Sequence, residues 1–182
     1  MKKLFLLIVF CSFLSAEIDW SDSNDCELPN HSSFVNEMIS KMSLEQKIGQ
    51  IIMPEINSFT IEQVRKFHLG TILNGGGGFP NKNKNSSIDD WKNLSKEYYD
   101  ASTVVDGVKI PILWGTDAVH GHNNVIGATI FPHNIGLGAA KNQKLMKQIG
   151  AAVAKEVAST GIIWTFAPTI AVPQNDLWGR TY

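Results

Sequence analysis

Apolar residues recur along this chain at helical spacing and then in short continuous runs, and the two patterns alternate. Phe34, Met38, Ile39 and Met42 fall on one helical stripe. Ser43 and Gln46 have the spacing of a reciprocal N-terminal cap, ahead of a helix with Leu44, Ile48 and Ile51 on one side. Thr60 and Gln63 repeat that signature for Ile61, Val64 and Phe67, with Gly70 as the expected stop. Thr71-Ile72-Leu73 then reads as a strand that breaks at the glycines 75–78. Residues 87–104 return to helix, with Trp91, Leu94, Tyr98 and Ala101 in register. KIPILW (109–114) is the next strand, and Pro111 is tolerable near its start. Residues 142–160 form the clearest helix, carrying Leu145, Ile149, Val153 and Val157 and stopping at Gly161. IIWTFAP (162–168) follows as a strand.

Strands that are apolar on both faces and alternate with helices predict a parallel sheet covered by helices. Four strands are expected, near 51–56, 71–74, 110–114 and 163–167. Polar clusters follow the strands: NGGGG, GTDAVHGHNN and APTIAVPQNDLWGR. Parallel α/β folds, (β/α) barrels above all, keep their chemistry at those carboxyl ends.

Composition narrows the function classes. The 182 residues carry a net charge of -1, with 43% hydrophobic and 18% charged residues, enough for one domain with a core. Near-neutral charge argues against a nucleic-acid binder. Residues 1–16, MKKLFLLIVFCSFLSA, have the charged start, short apolar stretch and small-residue exit of a secretory signal peptide, too short to span a bilayer comfortably. The expected location is therefore secreted or periplasmic, with no membrane association after cleavage. Cys26 alone then remains, so no disulfide framework is expected. Residues 17–33 read as a polar N-terminal extension, and 34–182 as the folded part.

Asp117 is the sharpest single candidate, an acid placed directly after an apolar strand, where an ionised group needs donors. Sugar hydroxyls, an arginine or a metal can each meet that need, and so can the loop's own N–H groups. His120 and His122 form an H-x-H pair of the kind that binds zinc in hydrolase barrels, although they lie past the strand and lack an evident third ligand. Loop histidines bonded to neighbouring carbonyls are the plainer reading. Gly75–Gly78 and GLGAAK (136–141) do not complete a phosphate or dinucleotide fingerprint, and close backbone passage explains them more simply. Arg180, one of only two arginines, lies beside Trp178 in WGR, a pairing suited to a sugar's ring face and hydroxyls.

Taken together, PILWGTDAVHGHNNVIGATIFPHNIGLGAA (111–140), KEVASTGI, TFAPTIAV and WGRTY closely resemble glycoside hydrolase family 3, chiefly its exo-acting β-glucosidase and β-glucan exohydrolase branch. MSLEQKIGQ (42–50) resembles the family's opening helix, so the resemblance covers about 34–182. It implies the N-terminal half of a (β/α)8 TIM-like barrel, incomplete in this chain, and release of glucose from the non-reducing end of β-glucosides or β-glucans with retention. By resemblance Asp117 accepts hydrogen bonds from the terminal glucose and Arg180 donates to it. No metal or cofactor is implied. The nucleophile of a Ser-Asp-Trp-like segment and the acid find no counterpart up to Tyr182, and the resemblance places both beyond that residue. The isolated chain is therefore expected to be inactive, poorly soluble, and dependent on the other half of the barrel. The alternatives are a metal-dependent hydrolase using His120 and His122, and a non-catalytic sugar-binding module.

Overall fold

A computed structural model of the chain describes residues 31–103, 108–169, 172 and 174–179. The expected signal peptide (1–16), most of the extension after it, and the last three residues, Arg180 to Tyr182, lie outside the described residues.

Three parallel strands form the sheet among the described residues: β1 (Thr71–Asn74), β2 (Leu113–Thr116) and β3 (Trp164–Thr165), in that spatial order. Thr71 pairs with Leu113 and Asn74 with Thr116, while Gly115 pairs with Trp164. The run expected at 51–56 makes one parallel bridge, Glu55 to Leu73, rather than a full strand. Pro54 accepts from the Leu73 amide and Ile56 donates back to Leu73, so this segment lies along the free edge of β1. β2 starts later than Ile110, because Pro111 has no N–H for the ladder and the Ile112 amide is taken by the Ser102 hydroxyl at 3.0 Å.

Capping chemistry sets the helix starts. α1 (Ser32–Lys41) opens two residues before the expected boundary. α2 (Leu44–Gln50) and α3 (Ile61–Phe67) both begin with the expected capping boxes, each having both reciprocal bonds. α3 ends on His68 in the left-handed conformation, not on Gly70. α4 (Ile88–Thr103) starts with a third box, in which Asp90 takes the place of Glu or Gln: the Ser87 amide donates to Asp90 and the Asp90 amide to Ser87. α5 (Asn134–Ala139), also not expected, is one short turn-and-a-half, and α6 (Gln143–Ser159) is capped by Asn142 and followed by Gly161 at φ 81°.

The core lies between the sheet and α4. Ile72, Asn74, Trp114 and Thr116 are buried on one face. Trp91 and Tyr98 of α4 meet Trp114 at ring distances of 5.8 and 5.3 Å. Trp114 Nε1 donates to Asn74 Oδ1 at 2.8 Å, so the indole N–H and the amide oxygen satisfy each other. By strand alternation Leu73, Leu113 and Gly115 face the other way, where they are less enclosed except for Gly115, which lies under the rings of Trp164 and Phe166.

The stripes of α1 and α2 fail to find the expected partners: Phe34, Leu44 and Ile51 are exposed, Ile51 to 84%. α2 instead packs through Gly49, where a Cβ would stand 1.8 Å from the Phe67 carbonyl oxygen. Ile163 at 77% and Leu177 at 92% add apolar surface beyond β3. The sheet is an open arc, part of a (β/α) barrel.

Candidate functional site

The loop after β2, residues 117–133, is built as a folded-back plug at the carboxyl end of the sheet. Gly121 adopts φ 127°, and a Cβ there would meet the Thr129 carbonyl oxygen at 2.2 Å, so the loop's two limbs close only around glycine. The Phe131 amide donates to the His120 carbonyl at 2.8 Å, and His120 Nδ1 donates to the Phe131 carbonyl at 2.9 Å. From α6, Glu156 accepts the Thr129 amide through both oxygens, at 3.0 and 3.2 Å. The loop is therefore held to itself and to the helix behind it.

The two histidines do not form a metal pair. His120 turns to Phe131 and packs against His133, with ring centroids 5.0 Å apart. His122 is fully buried, 5.7 Å from the Trp91 ring, with Nε2 3.1 Å from the Thr160 hydroxyl. Residues two apart share a face only within a strand, and β2 has already ended at Thr116. Among the described residues no cluster of three His, Cys, Asp or Glu side chains is arranged to hold a metal ion. The expectation of carbonyl-bonded loop histidines fits His120, whereas His122 bonds a hydroxyl.

The state of His122 follows from its partners. Thr160 donates its hydroxyl hydrogen to the Val157 carbonyl at 2.6 Å. It must then accept from His122, which puts the imidazole proton on Nε2. Burial pushes the His122 pKa down to about 4, only partly opposed by the charge of Glu156. His122 is a neutral core residue that ties the loop to the end of α6.

Asp117 follows β2 directly and is half-buried. Across from it lies Gly75, where an ideal Cβ would be 3.8 Å from Asp117 Oδ2. Asn124 spans the gap between the two loops: its Nδ2 donates to the Gly75 carbonyl at 2.9 Å, and it is 4% exposed. The Asp117 carboxylate thus stands half-buried at the carboxyl end of the sheet. The other expected sugar contact, Arg180, belongs to the segment up to Tyr182 that is not described, so the geometry of the site rests on Asp117 and its neighbours. Asn124, Glu156 and Thr160 were not evident from residue type. The doubled asparagine in GHNN was the one available signal.

The comparisons with known proteins agree with this architecture. A family model described as the glycosyl hydrolase family 3 N terminal domain matches residues 43–182. The chain is 33% identical over 168 residues to a lysosomal beta glucosidase of Dictyostelium discoideum, covering 82% of this chain and 20% of that protein. It is 27% identical over 153 residues to a periplasmic beta-glucosidase of Salmonella typhimurium, covering 81% of this chain and 18% of that one. The crystal structure of an exo-1,3/1,4-beta-glucanase from a Pseudoalteromonas species superposes with a TM-score of 0.76 at 51% identity, covering 84% of this chain and 19% of that chain. The chain thus spans about a fifth of each of these relatives. A family match over most of its length, on a partial barrel with an acid at the mouth of β2, means that this chain belongs to glycosyl hydrolase family 3.

Proposed function

We propose that this chain supplies sugar-positioning groups of an exported β-glucosidase or β-glucan exohydrolase, which releases glucose from the non-reducing end of β-linked substrates with retention. The observation that carries this reading is Asp117, a half-buried carboxylate at the carboxyl end of β2 and beside the side-chain-free Gly75. An ionised acceptor forms stronger hydrogen bonds to hydroxyls than a neutral one, and two such bonds fix the orientation of a ring. Arg180, placed by its WGR motif, is the proposed donor to the same sugar. Retention requires a nucleophilic carboxylate and a second carboxyl group to protonate the leaving oxygen. Neither role is assigned to an acid of this sequence. Export is supported by the signal-like residues 1–16 and by relatives named lysosomal and periplasmic.

Saturation-transfer NMR between the 182-residue chain and methyl β-D-glucopyranoside tests the site. Transfer is expected in the wild type and should disappear in Asp117→Ala; transfer that persists in the variant would remove Asp117 from the site. Separately, the same chain is expected to release 4-nitrophenol from its β-glucoside no faster than buffer does. Turnover by the purified polypeptide would show that it holds its own nucleophile and acid, and a longer polypeptide that binds but never hydrolyses would favour the sugar-binding module.

A further inference from the structure

We propose that Gly75 sets the width of the sugar site in front of Asp117, and that Asn124 is the positioning residue that holds it there. This rests on the sugar-site reading above and adds to it the feature that decides which ligand groups can approach the carboxylate.

Gly75 is not required by its backbone, since its φ lies outside the left-handed region that only glycine adopts easily. The neighbouring glycines separate the possible reasons. Nothing lies within 4 Å of a Cβ built on Gly76 or Gly77. On Gly78 a Cβ would stand 2.4 Å from Glu55 Oε1 and 2.9 Å from the Asn74 Cβ, so that glycine serves packing. Gly75 alone of the four has a Cβ direction that leads to the Asp117 carboxylate, and at 3.8 Å a methyl group fits there without a clash. What glycine preserves at this position is therefore open approach to an anion rather than the fold.

Asn124 makes that approach reproducible. It reaches from the loop after β2 to the loop after β1, 49 residues earlier, and its amide donates at 2.9 Å to the carbonyl of Gly75 itself. The turn that carries it is fixed by the adjacent Val125 amide donating to the His122 carbonyl at 3.0 Å. Because His122 is in turn anchored on Thr160, the distance between Gly75 and Asp117 is referred to the end of α6. A methyl on Gly75 would stand 3.8 Å from Asp117 Oδ2, in the space where a ligand hydroxyl bonded to that oxygen would sit, and so displaces it. A Ser side chain goes further, because its own hydroxyl can reach the carboxylate and stand in for the sugar.

The test uses the 182-residue chain, with near-UV circular dichroism for folding and saturation transfer to methyl β-D-glucopyranoside normalised to folded protein. Gly75→Ala is expected to keep the wild-type dichroism and lower transfer about tenfold, the worth of one hydrogen bond to a charged group. Gly75→Ser should lower it at least as far, while Gly76→Ala and Gly77→Ala leave it unchanged. Asn124→Ala should lower transfer per folded molecule, a change that a merely structural role would not produce. If Asp117→Ala abolishes transfer but Gly75→Ala does not, the sugar site stands and this inference is overturned. A wild type without transfer, or an Asp117→Ala variant that retains it, overturns both. Loss of the folded dichroism in Gly75→Ala also overturns the inference, because it would show glycine serving the fold.

Discussion

Replacing Trp91 with alanine is expected to leave the chain without a cooperative thermal transition at about 25 °C or above, the temperature to which the stability scale below refers. Trp91 is fully buried and joins three parts of the core: it packs on Trp114 of β2, on His122 of the site loop, and from its own position on α4. Truncating a buried tryptophan costs about 3–5 kcal/mol through lost transfer energy and the cavity left behind. A domain's whole stability is about 5–15 kcal/mol, and an arc with Ile51, Ile163 and Leu177 in water belongs at the low end. Trp91→Phe separates packing from polarity. The indole Nε1 has no hydrogen-bond partner among the described residues, so phenylalanine removes a buried donor along with one ring and should cost much less than alanine. Thermal unfolding followed by near-UV circular dichroism reads both variants. Two equal losses would mean that the cluster does not depend on the volume at this position.

The elements that were legible in the sequence are those whose signal is local. Both Ser/Thr-x-x-Gln capping boxes appear as drawn, because the bonds involved lie within four residues. The stripe Trp91, Tyr98 and Ala101 is buried as its spacing required, because the sheet lies directly under α4. The same reasoning failed for Leu44, Ile48 and Ile51. Periodicity shows that a helix has an apolar side but not that a partner lies opposite it, and α2 packs through Gly49 instead. α5 was illegible because its six residues include two glycines and no charged residue to cap or pair. The position of Asp117 at the carboxyl end of β2 was legible from the apolar run before it. The separate fates of His120 and His122 were not, because a loop has no fixed alternation and the partner of each lies far along the chain, at Phe131 and Thr160.

Acid should weaken this fold well before its carboxylates titrate, and His122 is the reason. In the folded chain burial holds its pKa at about 4, against 6.5 for an unhindered histidine. Above pH 6.5 the imidazole is neutral in both folded and unfolded chains, and no proton is taken up on unfolding. Between 6.5 and about 4 the unfolded chain binds a proton that the folded chain refuses, so stability falls as pH falls. Below about 4 both states are protonated and the loss is complete, on the order of 3 kcal/mol at the usual value per pKa unit. The capping carboxylate Asp90 acts in the same direction but lower. Its pKa is depressed by its bonds to Ser87, so its contribution is lost only as pH drops through 3.8 and beyond. The window from pH 6.5 to about 5 therefore isolates the histidine. Urea midpoints measured across that window should drop steadily in the wild type and stay level in His122→Gln, whose amide can still donate to Thr160 but takes up no proton. A wild-type midpoint that stays flat across the window would mean that His122 is not a buried neutral group, and its tie from the site loop to Thr160 would go with it, leaving only the Glu156 bonds to α6.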